Sequence, residues 1–237
     1  MPGRGKPKSR KRQNTVSVIE AESLSSMEQE PERLNILGTS TQRDIWIVGD
    51  SLVRWAGRQF SQRQRPSFCN NISWDGTSGL KLDGLHAKLQ YGLIQGKDPK
   101  IIFVHVGGNN ITNTNQCKIV RKLKTEFEYL FSNFPRSLIV WTFILPRLSW
   151  SYNNQSAVYN RNMNKKRLSI NRQMSNFTLN HTNGRALNMK SIDTQTQGFY
   201  HTDKVHLSNV GNEMYILAIG EAITQFLSSS GTTFLEH

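Results

Sequence analysis

The chain has 237 residues and no apolar run of about 18, so it lacks the signature of a spanning helix. Its first 15 residues hold six basic groups and no apolar stretch of the kind a secretory leader needs, which predicts an intracellular protein, cytoplasmic or nuclear. Cysteine is scarce: Cys69 and Cys117 cannot form a disulfide framework, and without a secretory route both are expected to be reduced. The Asn-x-Ser/Thr sequons at Asn71 and Asn176 then carry no glycosylation meaning. No cluster of His, Cys, Asp and Glu has metal-ligand spacing, and neither G-x-G-x-x-G nor G-x-x-x-x-G-K-S/T surrounds Gly107-Gly108, so neither a metal nor a nucleotide cofactor is expected. Acidic residues are also few. Against 17 Asp and Glu stand 30 Lys and Arg, a formal charge of +13, which points to polyanionic partners such as nucleic acid or an anionic lipid surface.

What is present suffices for one good core, with 36% of residues apolar. Residues 1–40 differ from the rest: a basic block from Arg4 to Arg12 precedes a Ser-rich and Glu-rich stretch from Ser17 to Arg33 with almost no aromatic residue, a composition that predicts disorder. Seven basic minus five acidic residues give this tail only +2, which leaves +11 on residues 41–237, the expected folded domain. The block Lys6 to Arg12 fits a nuclear-localisation or nucleic-acid patch and equally an ordinary basic terminus.

From residue 44 short apolar runs alternate with amphipathic segments. Ile45 to Val48, Ile101 to Val106 and Leu138 to Leu145 are continuous and rich in β-branched residues, as suits strands buried on both faces. Helical periods follow: Leu82, Leu85, Leu89 and Leu93; Ile119, Leu123, Phe127, Leu130 and Phe134; Tyr159, Met163, Ile170, Met174 and Phe177; and a last one from about Asn209 to Leu227. Alternating strands and helices imply right-handed crossovers and a central parallel sheet with helices on both sides.

In such sheets ligands bind beyond the carboxyl ends of the strands, so the residues after each run carry the information. They are Gly49-Asp50-Ser51, Gly107-Gly108-Asn109-Asn110 and Pro146-Arg147. A serine directly after a strand and before a helical pattern can offer its hydroxyl at a helix N-terminus, which suits a nucleophile. Serine needs a base, and a base needs an orienting group. His206 has Asp203 three residues earlier, where a carboxylate can bond Nδ1 and leave Nε2 free for the serine proton. Donors for a developing oxyanion would be the Ser51 N–H, the Gly79 N–H and the Asn109 side-chain amide.

These blocks resemble the SGNH hydrolases, also called GDSL-type esterases, over nearly all of residues 44–227. The match runs in order through Ser51 in IVGDSL, Gly79 in DGTSGLKL, Asn109 in VGGNN, and Asp203 and His206 in TDKVHLS. The stretch from Gly76 to Thr112 is most similar to acetylhydrolases of the platelet-activating-factor type. The resemblance implies a three-layer α/β/α flavodoxin-like fold and a metal-free serine esterase acting on a short acyl ester such as acetyl. Two positions depart from the family pattern. Asn110 stands where many members have Asp, and Leu80 replaces a frequent Asp, which leaves Gly76 as the competitor of Gly79.

Simpler readings stand beside these. A serine after a strand is often an N-cap, an Asp-x-x-His pair is often a surface turn, and His105 reads as a packed core histidine. The stretch Arg161 to Arg172 reads as a solvated helix face. A second function, a nucleic-acid-binding module on the same fold with its catalysis minor or retired, is suggested by the +11 on residues 41–237 and by the basic tail; the likeness to esterase domains of this family that stand beside basic, Ser-rich segments in some retrotransposon proteins implies a retrotransposon origin for it.

Overall fold

The computed structural model of the protein describes residues 44–62, 71–151 and 156–228, together with the backbone of Thr233–Leu235. The expected tail at residues 1–40, including its Lys6 to Arg12 block, and Cys69 lie outside the described residues.

Among the described residues six strands form one sheet: β1 (Ile45–Gly49), β2 (Ile72–Gly76), β3 (Ile101–His105), β4 (Leu138–Thr142), β5 (Gly184–Asn188) and β6 (Thr233–Leu235). They pair in the order β2-β1-β3-β4-β5-β6, and every pairing is parallel. Parallel neighbours require crossovers, which here contain α1 (Ser51–Gln62), α2 (Leu82–Ile94), α3 (Gln116–Asn133), α4 (Ala157–Leu179) and α5 (Asn209–Ser228). None of the described helices is long and apolar enough to cross a membrane.

Successive strand residues point to opposite faces, and both faces are covered. Trp46 and Val48 of β1, Ile102 and Val104 of β3 and Trp141 of β4 pack with Leu85 and Leu89 of α2, Phe127 of α3 and Ile170 and Met174 of α4. The alternate residues Ile45, Ile47, Phe103, Val140 and Leu187 pack with Val53 and Ala56 of α1 and Ile216 and Ile219 of α5. The result is the expected three-layer α/β/α arrangement. Each fully buried large apolar side chain contributes about 1.5–3 kcal/mol, so the two cores are what hold the layers together.

Two strands escape the apolar-run criterion. β2, ISWDG, is the edge strand beside β1 and is mostly half-buried, and β5, GRALN, carries Arg185 and Asn188 among its apolar residues. The run from Leu138 to Leu145 is strand only as far as Thr142. Phe143 N still donates to Leu187 O at 2.9 Å, but the Asn171 side chain then takes over both backbone groups of Ile144. Its Oδ1 accepts from Ile144 N at 2.9 Å and its Nδ2 donates to Ile144 O at 3.0 Å. The chain thereby leaves the sheet as a strap, 143–147, held by α4.

The basic face of α4 is not wholly solvated, contrary to the expectation from its sequence. Arg161, Lys165 and Arg172 are exposed, but Lys166 Nζ donates to Ile111 O at 2.6 Å and Thr114 O at 2.5 Å, and Arg167 Nη1 donates to Ile144 O at 3.0 Å. Burial pushes both groups below their ordinary pKa values. They tether loops at the carboxyl end of the sheet, because an unpaired carbonyl shielded from water is expensive.

Candidate active site

In this strand order the direction of winding reverses between β1 and β3, and a crevice opens there beyond their carboxyl ends. A single residue, Asp50, joins β1 to α1. It is buried, its Oδ1 accepts from Leu52 N at 3.0 Å as a helix N-cap, and its N–H donates to His105 O at 3.2 Å, which fixes the turn against β3. Ser51 is therefore the first residue of α1, with its N–H at the positive end of the helix dipole and no carbonyl four residues back to accept it. Ser51 is itself 7% exposed.

The other half of the site precedes α5. His201 N donates to His206 O at 2.8 Å, Ser208 N donates to Phe199 O at 2.9 Å, and Tyr200 bridges Leu207 in antiparallel fashion, so 199–208 is a small hairpin. Lys204, at φ 63°, takes the left-handed conformation its tip requires. Asp203 Oδ1 accepts from the N–H groups of Val205 and His206, both at 2.9 Å, and Oδ2 lies 2.6 Å from His206 Nδ1. The opposite ring nitrogen, Nε2, lies 2.9 Å from Ser51 Oγ. With a carboxylate at Nδ1, the proton resides there and the Nε2 lone pair faces the serine. Partial burial works to raise the Asp203 carboxyl, but hydrogen bonds from the His206 ring and from the two backbone N–H groups outweigh it and hold it below the usual carboxylate range. Ser51, Asp203 and His206, spread over 155 positions, thus meet in one hydrogen-bonded row.

The glycine block forms the next wall. Leu80 N donates to Thr77 O at 3.2 Å, closing a four-residue turn with Gly79 third at φ +70°, as a type II turn demands. Space around Gly79 is open, so its backbone conformation is what calls for glycine. Gly76 differs: a Cβ there would fall 2.1 Å from Arg54 N, so it serves the close packing of β2 on α1.

Asn109 lies in the single 3-10 turn after β3, Gly108–Asn110. Its Nδ2 donates to Leu80 O at 3.1 Å and its Oδ1 accepts from Arg147 Nη2 at 3.0 Å. Asn110 is buried, and its Oδ1 accepts from Leu82 N at 3.1 Å, at the start of α2. Consecutive asparagines thus tie the glycine block to the end of β3. Neither this tie nor a role for Arg147 is legible in the sequence, where the one signal is an arginine right after the proline that ends the third apolar run. Gly108 accommodates that arginine, since a Cβ there would sit 2.9 Å from Arg147 Nη2.

His105 is buried and hydrogen-bonds Tyr215 Oη through Nδ1 at 2.8 Å; burial pushes the imidazole down and the Tyr215 hydroxyl up. His86, on α2, faces Glu126 at 2.9 Å. Among the described residues no group of three or more His, Cys, Asp and Glu is arranged to hold a metal ion.

No protein-family model matches the chain, and no curated protein matches it. Solved structures do. One is a Streptococcus pneumonia protein provisionally named a platelet activating factor, with a TM-score of 0.61, 20% identity, and coverage of 79% of this chain and 86% of that one. A GDSL-like lipase from Bacteroides thetaiotaomicron superposes with a TM-score of 0.56 at 14% identity, over 77% of this chain and 88% of that one. The acetylxylan esterase Axe2 from Geobacillus stearothermophilus gives 0.55 at 12% identity, over 76% and 94%. The fold of this chain is that of the SGNH hydrolases.

Proposed function

We propose that this chain, built on the SGNH-hydrolase fold, hydrolyses a carboxylic ester through attack by Ser51. The observation that carries the reading is the His206 ring, with Nε2 at 2.9 Å from Ser51 Oγ and Nδ1 at 2.6 Å from Asp203 Oδ2. As Oγ attacks the ester carbonyl carbon, Nε2 takes the serine proton, and Asp203 stabilises the resulting imidazolium. The tetrahedral intermediate collapses as His206 passes that proton to the departing alkoxide, leaving an acyl-serine. Water then attacks the acyl carbon, His206 accepts its proton and returns it to Ser51 Oγ, and the acid leaves.

Charge on the carbonyl oxygen would be met by the Ser51 N–H, the Gly79 N–H and Asn109 Nδ2. The amide nitrogen has two hydrogens, and the bond to Leu80 O uses one. For the acyl group we assign a short chain, acetyl first, on the likeness to structures that include acetylxylan esterases. Esterases, lipases and acylhydrolases among those structures favour this reading over a nucleic-acid-binding module.

The test compares wild type with Ser51→Ala in turnover of p-nitrophenyl acetate and in labelling by a fluorophosphonate probe. Wild type should do both and the variant neither, with an unchanged melting curve. Equal turnover in the variant removes Ser51 as nucleophile.

A further inference from the structure

Arg147 belongs to no block of the SGNH pattern, yet it holds a residue that does. Its Nη2 donates to Asn109 Oδ1 at 3.0 Å, and its guanidinium lies 5.1 Å from the centre of the Trp150 ring. The chain before it is held on three sides. Asn171 pairs with both backbone groups of Ile144, Arg167 donates to Ile144 O at 3.0 Å, and Tyr200 Oη donates to Pro146 O at 2.7 Å. A strap held in this way delivers a half-buried guanidinium to one oxygen.

A side-chain amide can be turned end for end with almost no change of shape, so something must decide which end faces the reacting carbonyl. Here both neighbours of Asn109 decide it alike. A guanidinium offers only donors, so the atom facing it has to be Oδ1; the Leu80 carbonyl only accepts, so the atom facing it has to be Nδ2. The reversed amide would set donor against donor and acceptor against acceptor. A cation on Oδ1 also draws electron density from the amide and strengthens its N–H groups as donors.

We infer that Arg147 is a positioning residue for the oxyanion hole: it locks the Asn109 amide with its N–H groups toward the glycine block and polarises them. The inference rests on the ester-hydrolase reading. An interaction of this kind acts on the oxyanion and hardly on the bound ester, so its loss should appear in kcat rather than in KM.

The experiment is a double-mutant cycle of Arg147→Met and Asn109→Ala in the full chain, with p-nitrophenyl acetate, alongside Arg147→Lys and the Ser51→Ala control. Arg147→Met should lower kcat by about 10- to 100-fold, the cost of a slightly misplaced group, with KM within about twofold of wild type. In the Asn109→Ala background the same change should alter kcat by less than about twofold, because the amide it acts on is gone. Arg147→Lys, which keeps a charged donor, should recover part of the rate. Should Arg147→Met fail to fold, the Lys variant still decides: its kcat should fall at least about threefold at constant KM and by less than about twofold in the Asn109→Ala background, and an unchanged kcat overturns the inference. Multiplicative losses in the cycle, a rise in KM at constant kcat, or an unperturbed kcat in Arg147→Met each overturn the inference while the esterase reading stands. Activity that survives Ser51→Ala overturns that reading and the inference with it.

Discussion

Asp203 grips His206 at two places, with Oδ2 at 2.6 Å from the ring Nδ1 and Oδ1 at 2.9 Å from the backbone N–H. The two contacts are not independent. The backbone N–H groups of Val205 and His206 require an acceptor at Oδ1, so in Asp203→Asn the oxygen stays on them and the NH2 turns to the ring. The imidazole must then present a lone pair at Nδ1 and carry its proton at Nε2, facing Ser51 with the wrong tautomer. We expect kcat to fall by about 10³–10⁴-fold with little change in folding, as measured by steady-state kinetics beside circular dichroism.

His105 makes stability depend on pH. Burial lowers its pKa in the folded protein, so between that value and the unfolded value near 6.5 the unfolded chain binds more protons. Its share of stability is complete above about pH 6.5 and declines as the pH falls below that value toward the folded one. Urea unfolding of wild type against His105→Gln should show the wild-type curve dropping more steeply between pH 6.5 and 5, by up to one proton's worth of slope; parallel curves refute the assignment.

Asn171 supplies both partners of the Ile144 backbone, and Arg167 supplies a second donor to the same carbonyl. Replacement by Leu keeps the volume but strands the Ile144 N–H. A loss of about 1–3 kcal/mol is expected in denaturant unfolding at unchanged m-value, and activity should fall as well because the strap carries Arg147.

The two glycines of the second block should respond differently to alanine. Gly79→Ala meets open space but must hold φ +70°, which costs about 1–2 kcal/mol. At Gly76 a Cβ would meet Arg54 N at 2.1 Å, a backbone atom that cannot step aside, so Gly76→Ala should be the more destabilising change by thermal melting.

How far the sequence announces this architecture depends on how each element is buried. β1, β3 and β4 are covered on both faces, so their residues are nearly all apolar and stand out. β2 lies at the edge and β5 mixes charged and amide side chains with its apolar ones, and neither shows as a run. The row Ser51, His206 and Asp203 is readable because each member follows a strand or precedes a helix in a short, typed motif. The asparagine and arginine ties are not readable, because they join residues 28 to 38 positions apart through contacts that only the folded sheet creates. The same holds for Lys166 and Arg167, whose sequence neighbourhood looks like solvated basic surface while the carbonyls they bind come from other loops.

Ser51 and His206, the proposed nucleophile and base, are separated by 155 residues, and His206 arrives just before α5, the helix that closes against α1 through Gln59 and Asn209 at 2.8 Å. A hydroxyl at the end of β1 without that partner is chemically ordinary. Every partly folded form in which this last crossover has not docked is thus silent, whatever share of the sheet it has built. Turnover therefore reports the docking of that crossover: during refolding, activity should return no earlier than the tertiary phase in which α5 packs on α1.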